Sequence, residues 1–385
     1  SLAVPLAMFG WLPLVVIIFA QTNPRRAVIA AYVIAWLFLP VVTYELPGLP
    51  DYTKWSATSY GALIGVLLFD ARRLFDFRGS ALDLPMAVFV LVPLATSLSN
   101  GLGPYDGATG VVDRVITWGL PYLFARIYIR TAGHMEELAW GLVLGGIAYA
   151  PLCLIEVRLS PQLHNWIYGF HQHSFMQMIR MGGYRPIVFM NHGLMVAMWM
   201  VNATLMATWL WLWKPRLSIG PFGIGLIAAG LTLTTVLVKS FGALLLLVFG
   251  FVMLLMMRRG FVKPIALIAV AIPAFMAMRI LDPGFGTSLP GVFEALNERA
   301  SRSLDFRLVN EEMLIDKAMR RPILGWGGWG RNRVTDEEGT DLAVTDGLWV
   351  ILLGKYGLVG LVSWSLVFLL PPFLIARRPR SHPRG

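Results

Sequence analysis

Apolar stretches long enough to span a membrane alternate with short polar stretches along the whole chain. A helix needs about 20 residues to cross the roughly 30 Å of bilayer hydrocarbon, and a slightly shorter run still suffices. The apolar runs cover residues 4–20, 27–43, 55–70, 83–98, 108–125, 137–156, 187–212, 220–237, 241–257, 263–281 and 347–376. The last run is long for one helix, and the glycines within Leu353–Gly360 predict a break inside it. We therefore expect about 11–12 membrane spans.

This pattern predicts an all-α fold, a polytopic transmembrane helical bundle. Alternation with a period of two, which is typical of membrane β-barrels, does not occur. Inside lipid, backbone N–H and C=O groups must bond within the protein, which leaves helices as the spanning elements. The expected parts are a bundle over 1–281 with an outer loop at about 157–186, an outer loop at 282–346, a final transmembrane segment at 347–376 and a basic tail at 377–385.

The second outer loop contains a stretch with helical periodicity at about 304–319. Leu304, Leu308, Ile315 and Met319 fall on one stripe of such a helix. We expect an amphipathic helix that lies on the bundle or in the interface, with Arg307 just off its apolar stripe.

Composition supports a membrane protein and excludes an ordinary soluble domain. Of 385 residues, 57% are hydrophobic and 14% are charged, whereas a soluble domain carries about 25% charged residues. A signal peptide does not explain the apolar content, because apolar runs recur to the end of the chain. The single cysteine, Cys153, forms no intrachain disulfide.

The net charge of +10 is better explained by basic residues in the cytoplasmic loops of a membrane protein than by a nucleic-acid partner. No aromatic and basic motif for reading nucleic acid occurs. Basic residues occupy every second loop: 22–26, 71–79, 126–131, 213–216, 257–263 and the tail 376–385. The positive-inside rule makes these loops and the C-terminus cytoplasmic. The sequence begins at Ser1 instead of methionine, which leaves open that a segment precedes it.

Arginines in the two long outer loops depart from that rule. The first loop carries Arg158, Arg180 and Arg185, and the second carries Arg299, Arg302, Arg307, Arg320, Arg321, Arg331 and Arg333. Long loops are partly exempt from the rule, so these arginines are either tolerated or bind an anionic ligand. Guanidinium groups suit phosphate oxygens because they make two-point contacts.

Four stretches carry chemical motifs at the edges of predicted spans. Residues 181–200 (MGGYRPIVFMNHGLMVAMWM) place Arg185, Phe189 and Asn191 at the mouth of a helix, and residues 240–250 (SFGALLLLVFG) begin another helix. Residues 303–330 carry Arg307, a predicted helix, and then Pro322, Gly325 and Gly327. Residues 346–364 carry Gly357 and Gly360.

In order and placement, these stretches resemble the O-antigen ligase and O-antigen polymerase superfamily over roughly residues 150–376. Its members are polytopic enzymes of bacterial envelopes that move glycans from a polyprenyl-diphosphate carrier. The resemblance implies a multi-pass protein of the bacterial inner membrane that acts at the periplasmic face without a metal or cofactor. Two departures affect the chemistry: Phe241 replaces a basic residue, with Lys239 displaced, and Asp346 replaces the family's histidine.

The resemblance implies that Arg185 and Arg307 contact the diphosphate. Asp346 or His192 would accept the proton of the acceptor hydroxyl. A carboxylate serves as a base near pH 7 only when burial raises its pKa. Other interpretations remain open: Arg185 could snorkel to the interface, Arg307 could pair with Glu311 on its helix, and His192 could be a core histidine.

The remaining candidates are expected to contact the saccharides. Trp326 and Trp329 in GWGGWG (325–330) could stack on sugar faces or anchor at the headgroup level. The run lacks the lysine and hydroxyl residue of a nucleotide-binding P-loop. Asn191, His171 and His173 are expected near the acceptor, and the two loop histidines could equally be surface residues. A metal site is not expected, because no acidic or cysteine partner follows the histidines at ligand spacing.

The expected function is transfer of a saccharide from a polyprenyl-diphosphate carrier to an acceptor saccharide or lipid, by a glycan ligase or polymerase. The departures at Phe241 and Asp346 favour an alternative, a non-catalytic membrane subunit that kept the fold. A transporter of an anionic lipid or small anion is disfavoured, because the spans hold few charged residues and no internal repeat.

Overall fold

A computed structural model of the protein describes residues 1–46, 50–180, 182–282, 284–287, 291, 298–345 and 347–377. Within these ranges the chain is built from α-helices and three short hairpins. The helices are α1 (Ala3–Gln21), α2 (Pro24–Phe38), α3 (Lys54–Phe69), α4 (Ala71–Phe75), α5 (Leu84–Ser99), α6 (Gly103–Arg114), α7 (Leu120–Tyr128), α8 (Ala132–Leu159), α9 (Leu163–Tyr168), α10 (Gly193–Trp213), α11 (Ile224–Leu237), α12 (Phe241–Arg258), α13 (Lys263–Leu281), α14 (Glu298–Met319) and α15 (Leu348–Arg377). The predicted all-α helical bundle is confirmed.

The strands are two-residue segments that pair antiparallel in consecutive hairpins. They are β1 (Thr43–Tyr44) with β2 (Tyr52–Thr53), β3 (Ile179–Arg180) with β4 (Gly183–Tyr184), and β5 (Ser218–Ile219) with β6 (Phe222–Gly223). Each hairpin closes a connection between helices and adds no sheet to the core.

Seven helices in the described part of the chain are long and apolar enough to cross a membrane, so the protein is a multi-pass membrane protein. They are α1, α5 with the turn before it (Ala81–Ser99), α8, α10, α12, α13 and α15. The spans predicted at 27–43, 55–70 and 220–237 form shorter helices of 15, 16 and 14 residues. The span predicted at 108–125 is α6 and α7, joined by a π-helical turn at Val115–Gly119.

Local sequence explains where the short helices begin and end. The Asn23 side chain accepts a hydrogen bond from the Arg26 N–H at the start of α2, where Pro24 occupies the first turn. The same helix ends at Phe38 because Leu39 precedes Pro40 and takes an extended conformation. Thr53 and Ser56 form a capping box at the start of α3.

The helices divide into two compact units. Unit 1 contains Ser1–Arg78 and Leu120–Gly260, and unit 2 contains Gly79–Gly119 and the described residues from Phe261 onward. In unit 1, α10 packs against α8, α11 and α12, and its core includes Tyr149, Val196 and Met200. Small residues permit this close packing: a Cβ on Gly145 of α8 would lie 2.7 Å from the ring of Trp199.

In unit 2, α15 packs against α5, α13 and α14. The amphipathic helix predicted at 304–319 is confirmed as α14, which begins earlier, at Glu298. Leu308 and Ile315 of its predicted stripe are buried, whereas Met319 is exposed. Leu314 and Ala318 complete the buried face against α15.

The predicted break in α15 is confirmed at Gly357, whose backbone has φ 59° and ψ −161°. The loop after α14 pairs with this break through its backbone. Trp326 N–H donates to Gly354 O (2.9 Å) and Gly327 N–H to Lys355 O (3.0 Å). On the other side, Leu358 N–H donates to Pro322 O (2.7 Å). The peptide groups that the break removes from the helix are thus bonded inside the protein, as a membrane segment requires.

Gly325 and Gly357 allow the two backbones to meet. A Cβ on Gly325, where φ is +69°, would lie 2.6 Å from the amide nitrogen of Gly357. A Cβ on Gly357 would lie 2.7 Å from the amide nitrogen of Leu324. The loop is also tied to α5, since Thr96 Oγ1 donates to Leu324 O (2.7 Å) and Asn100 Nδ2 donates to Gly325 O (3.0 Å).

Alanine at Gly325 or Gly357 is expected to destabilise unit 2. Each substitution combines a left-handed backbone with a clash against main-chain atoms, at a cost of about 2 kcal/mol or more. Thermal unfolding of the purified protein in detergent measures the effect as a lower midpoint. Gly328→Ala is the matched control, because a Cβ there meets nothing within 4 Å. Equal midpoints for all three variants would contradict the backbone contact.

Candidate functional site

The connection between α8 and α10 in unit 1 ends in an irregular segment, residues 185–192, which we name the Arg185 loop. Ile187, Val188, Phe189 and Met190 are nearly inaccessible, with relative exposures of 1%, 0%, 4% and 1%. The apolar run predicted a span from 187, but the helix begins only at Gly193. That boundary prediction is wrong because side chains from elsewhere in unit 1 bind the backbone of the loop.

Two groups of α8 accept hydrogen bonds from the backbone of the Arg185 loop. The Glu156 carboxylate, fully buried, accepts from the amides of Ile187 and Val188 at 2.8 Å each. It also accepts from the Leu163 amide at 2.9 Å. The Tyr149 hydroxyl oxygen accepts from the Phe189 amide at 3.0 Å. Because buried N–H groups need partners, these side chains replace the bonds that a helix would have made.

Two further side chains donate to the carbonyls of the Arg185 loop. Lys54 Nζ, on a side chain that is 4% exposed, donates to Phe189 O and Leu39 O at 2.8 Å each. Gln172 Nε2 donates to Val188 O (2.9 Å) and Met190 O (3.1 Å). Val188 has a φ of +48°, a strained conformation for a β-branched residue. Such strain persists only where the surroundings over-determine the backbone, and the side-chain bonds to the Arg185 loop supply that constraint.

Arg185 itself is a buried cation at the beginning of this loop. Its side chain is 8% exposed, and its Nε has no hydrogen-bond partner among the described residues. It packs on Gly193, the first residue of α10, where a Cβ would lie 2.8 Å from Arg185 Cδ. The N-terminus of a helix is itself partly positive. Burial and the nearby charge of Arg180 lower the pKa of Arg185 to about 10.

Lys239 brings another positive charge to the same place. It has a φ of +59° and lies immediately before the start of α12. Its Nζ contacts Gly183, where any side chain would overlap it. Gly183 is two residues from Arg185, so the displaced lysine of the second motif reaches the loop of the first. Arg180 and the N-terminus of α10 lie beside Arg185, and Lys239 contacts Gly183 two residues before it. Positive groups at a helix N-terminus favour an anion.

The histidines lie on the same connection. His192 caps α10, with its Nδ1 accepting from the Leu194 amide at 2.9 Å, and its ring lies 4.7 Å from that of His173. The Nδ1 lone pair of His192 is thus in use, which places the proton of the neutral ring on Nε2. His173 Nε2 donates to Gln177 Oε1 (2.9 Å), so a neutral His173 has its lone pair on Nδ1.

The other site residues predicted on this connection, His171 and Asn191, are more exposed than Arg185. His171 is exposed and its Nε2 lies 3.2 Å from Gln162 Oε1. Asn191 is half-buried in the turn before α10. Within the described ranges, no three His, Cys, Asp or Glu side chains come together to hold a metal ion.

The remaining predicted residues belong to unit 2. Arg307 is exposed on α14. Glu311, its expected helix partner, approaches Arg279 (4.0 Å) and accepts from Trp349 Nε1 (3.2 Å). Asp346 lies outside the described residues. Arg185 is in unit 1, so its convergence with Arg307 stays a prediction.

The two tryptophans of GWGGWG have different surroundings. Trp326 is half-buried, and its Nε1 donates to Lys317 O at 2.7 Å. Lys317 and Arg321 lie 4.6 Å and 4.8 Å from its ring centre, so cations already contact the ring. Trp329 is 81% exposed, and its Nε1 donates to Asp106. Trp329 is therefore the ring that presents a face for stacking.

A polar cluster lies near Trp329, and the sequence did not predict it as a group: Asp106 and Asp113 were read from the sequence as surface residues. Arg114 pairs with Asp113 at 2.8 Å and lies 5.7 Å from the ring centre of Tyr356. Arg114, Asp113 and Arg333 are close enough to Lys355 to act on its charge. Asn332 is 3% exposed, and its Oδ1 has no partner among the described residues. No sequence motif marks this cluster, because the break in α15 brings its members together.

Comparison of the chain with known protein families, with curated proteins and with solved structures found no match.

Replacement of Glu156 by glutamine is expected to loosen the Arg185 loop. One oxygen is lost and an amide NH₂ faces N–H donors, so buried amides lose their acceptor at about 1–3 kcal/mol. Hydrogen exchange measured by mass spectrometry should become at least about tenfold faster in peptides that contain Ile187 and Val188. Glu136→Gln is the control, since Glu136 pairs with Lys214 in an exposed position. Unchanged protection in the Glu156 variant would mean that the carboxylate does not hold the loop.

Proposed function

We propose that the protein is a membrane glycosyltransferase of the O-antigen ligase and polymerase type. It transfers a saccharide from a polyprenyl-diphosphate carrier to an acceptor at the periplasmic face of the bacterial inner membrane. The observation that carries this proposal is the buried Arg185, set against a helix N-terminus with Lys239 and Arg180 nearby. A buried guanidinium Nε that has no hydrogen-bond partner among the described residues is unfavourable, and a bound anion would supply the missing partner.

The chemistry suits such a site. The acceptor hydroxyl oxygen attacks the anomeric carbon of the donor sugar, and the bond from that carbon to the diphosphate oxygen breaks. The bonding electrons leave with the diphosphate, and the hydroxyl proton passes to a base. Arg185 and Lys239 stabilise the growing negative charge, more strongly in a site shielded from water. Arg307 would supply a second guanidinium.

Three residues are candidates for the base that accepts the hydroxyl proton. Asp346 remains the residue expected from the resemblance. His192 would have to give up the cap of α10 before its Nδ1 could accept a proton. His173 has its Nδ1 lone pair available when Nε2 donates to Gln177. These hydrogen bonds therefore favour His173 over His192 as the base in unit 1.

Trp329 and the polar cluster of unit 2 support a saccharide ligand. An exposed aromatic ring beside carboxylates, an amide and cations is the mixture that sugar hydroxyls and C–H faces need. Asp106, Asp113, Arg114 and Asn332 supply the polar groups, and Trp329 supplies the ring.

A non-catalytic subunit is the second candidate, favoured by Asp346 and Phe241. The position of Lys239 weakens the argument from Phe241, because the Lys239 cation contacts Gly183, two residues before Arg185. The departure at Asp346 remains, so glycan transfer itself has to be measured.

Arg185→Met is expected to abolish function without harming the fold. The substitution removes a positive charge from the place where negative charge develops on the leaving diphosphate, which lowers the rate by about 100-fold or more. Because no carboxylate among the described residues pairs with the buried Arg185 guanidinium, the thermal midpoint should stay or rise. Complementation of a deletion strain, followed by analysis of envelope glycans, measures transfer. Native mass spectrometry with undecaprenyl diphosphate measures binding by the purified protein.

Two variants sharpen this experiment. Arg185→Lys should keep part of the binding, because charge remains but the two-point contact is lost. Arg72→Met is the control, since Arg72 is 92% exposed and pairs with Asp76, the residue that follows its helix α4. Normal glycan transfer by Arg185→Met would favour the non-catalytic subunit, and a lower thermal midpoint would assign Arg185 a structural role.

A further inference from the structure

An apolar groove of about 520 Å³ runs between α2 and α8 in unit 1. Its walls are hydrocarbon side chains, among them Ile29, Val33, Leu37 and Leu144, with the ring of Trp140. The volume lies within the range of about 300–1,000 Å³ that small-ligand pockets occupy. An apolar space of this kind is unfavourable for water and suits hydrocarbon.

Missing side chains along the seam of the two helices create the groove. Gly141, Gly145 and Ala148 of α8 line it, opposite Ala30 of α2. Gly145 is already in tight contact, because a Cβ there would lie 2.8 Å from Val33 Cγ1. Ala148 is exposed on the groove wall, so the space beside it is open to the membrane.

Charged side chains close one end of the groove. Arg25 makes two hydrogen bonds with the Glu137 carboxylate, at 2.7 Å and 2.8 Å. The Arg26 guanidinium approaches the same carboxylate at 3.6 Å, and its side chain is 64% exposed. Two arginines thus share one carboxylate, which leaves excess positive charge. The nearby Glu136 is paired with Lys214 and does not cancel it.

We propose that this groove binds an acyl chain of an anionic diacyl phospholipid whose phosphate contacts Arg26. Hydrocarbon in the groove gains little over hydrocarbon in the bilayer, because lipid tails are as apolar as the walls. Selectivity therefore comes from the head group, and Arg26 favours a net negative one. The site lies at the end of unit 1 expected in the cytoplasm, and it does not rest on the proposed glycan transfer.

Native mass spectrometry of the purified, delipidated protein tests this site. The probes are dioleoylphosphatidylglycerol and dioleoylphosphatidylcholine, which share acyl chains and differ in net charge. One arginine near a lipid phosphate changes affinity by about fivefold, so the wild type should bind the anionic lipid about fivefold more tightly. Equal affinity for the two lipids would overturn the proposal.

Variants separate the two halves of the site. Arg26→Gln should remove the preference for the anionic lipid, whereas Arg72→Gln, in another exposed basic loop, should keep it. Ala148→Phe should weaken both lipids, because the ring fills the groove from its open wall. A preference that survives Arg26→Gln, or binding that Ala148→Phe leaves unchanged, would contradict the assignment. Arg26→Gln replaces an exposed side chain, so its result does not depend on repacking.

Discussion

A peptide group that leaves a helix at membrane depth must find its hydrogen-bond partner within the protein, and this constraint shapes both units. Unit 1 meets it with side chains: Glu156 accepts from three amides, and Lys54 donates to two carbonyls. Unit 2 meets it with backbone: the loop at Pro322–Gly327 pairs with the break in α15. In both units, bonds within the protein hold an irregular segment, and candidate functional groups lie on both segments.

The two solutions differ in how they respond to substitution. The Glu156 carboxylate accepts from three amides, so its loss removes the acceptor of all three at once. The backbone hydrogen bonds of unit 2 depend instead on the close approach of two main chains. Only Gly325 and Gly357 are needed for that approach, and the other side chains are free to vary. Because the backbone contact does not depend on other side chains, Trp329 and Lys355 can take part in a polar cluster while the break in α15 at Gly357 is unchanged.

The sequence predicted features that depend on nearby residues. Apolar runs located the helices, and the glycines around Lys355 located the break in α15. Arg185, Phe189 and Asn191 were expected at the mouth of a helix, and they lie in the segment immediately before α10. The start of α10 was not predictable, since Ile187–Met190 is as apolar as a helix, and its partners lie 31 residues away at Glu156 and 135 residues away at Lys54. Lys239 and Lys355 gained neighbours only through tertiary packing, which no periodicity records.

Helix α8 connects the two ends of unit 1. Glu137 and Glu156 are nineteen residues apart, and no charged residue lies between them. At 1.5 Å per residue this separation is roughly 28 Å, close to the thickness of bilayer hydrocarbon. Each carboxylate is therefore at a boundary of the apolar layer, one bonded to Arg25 beside the lipid groove and the other to the Arg185 loop. The proposed lipid groove and the proposed anion site would then face opposite sides of the membrane, so a phospholipid in the groove would not compete with a ligand at the other end of α8.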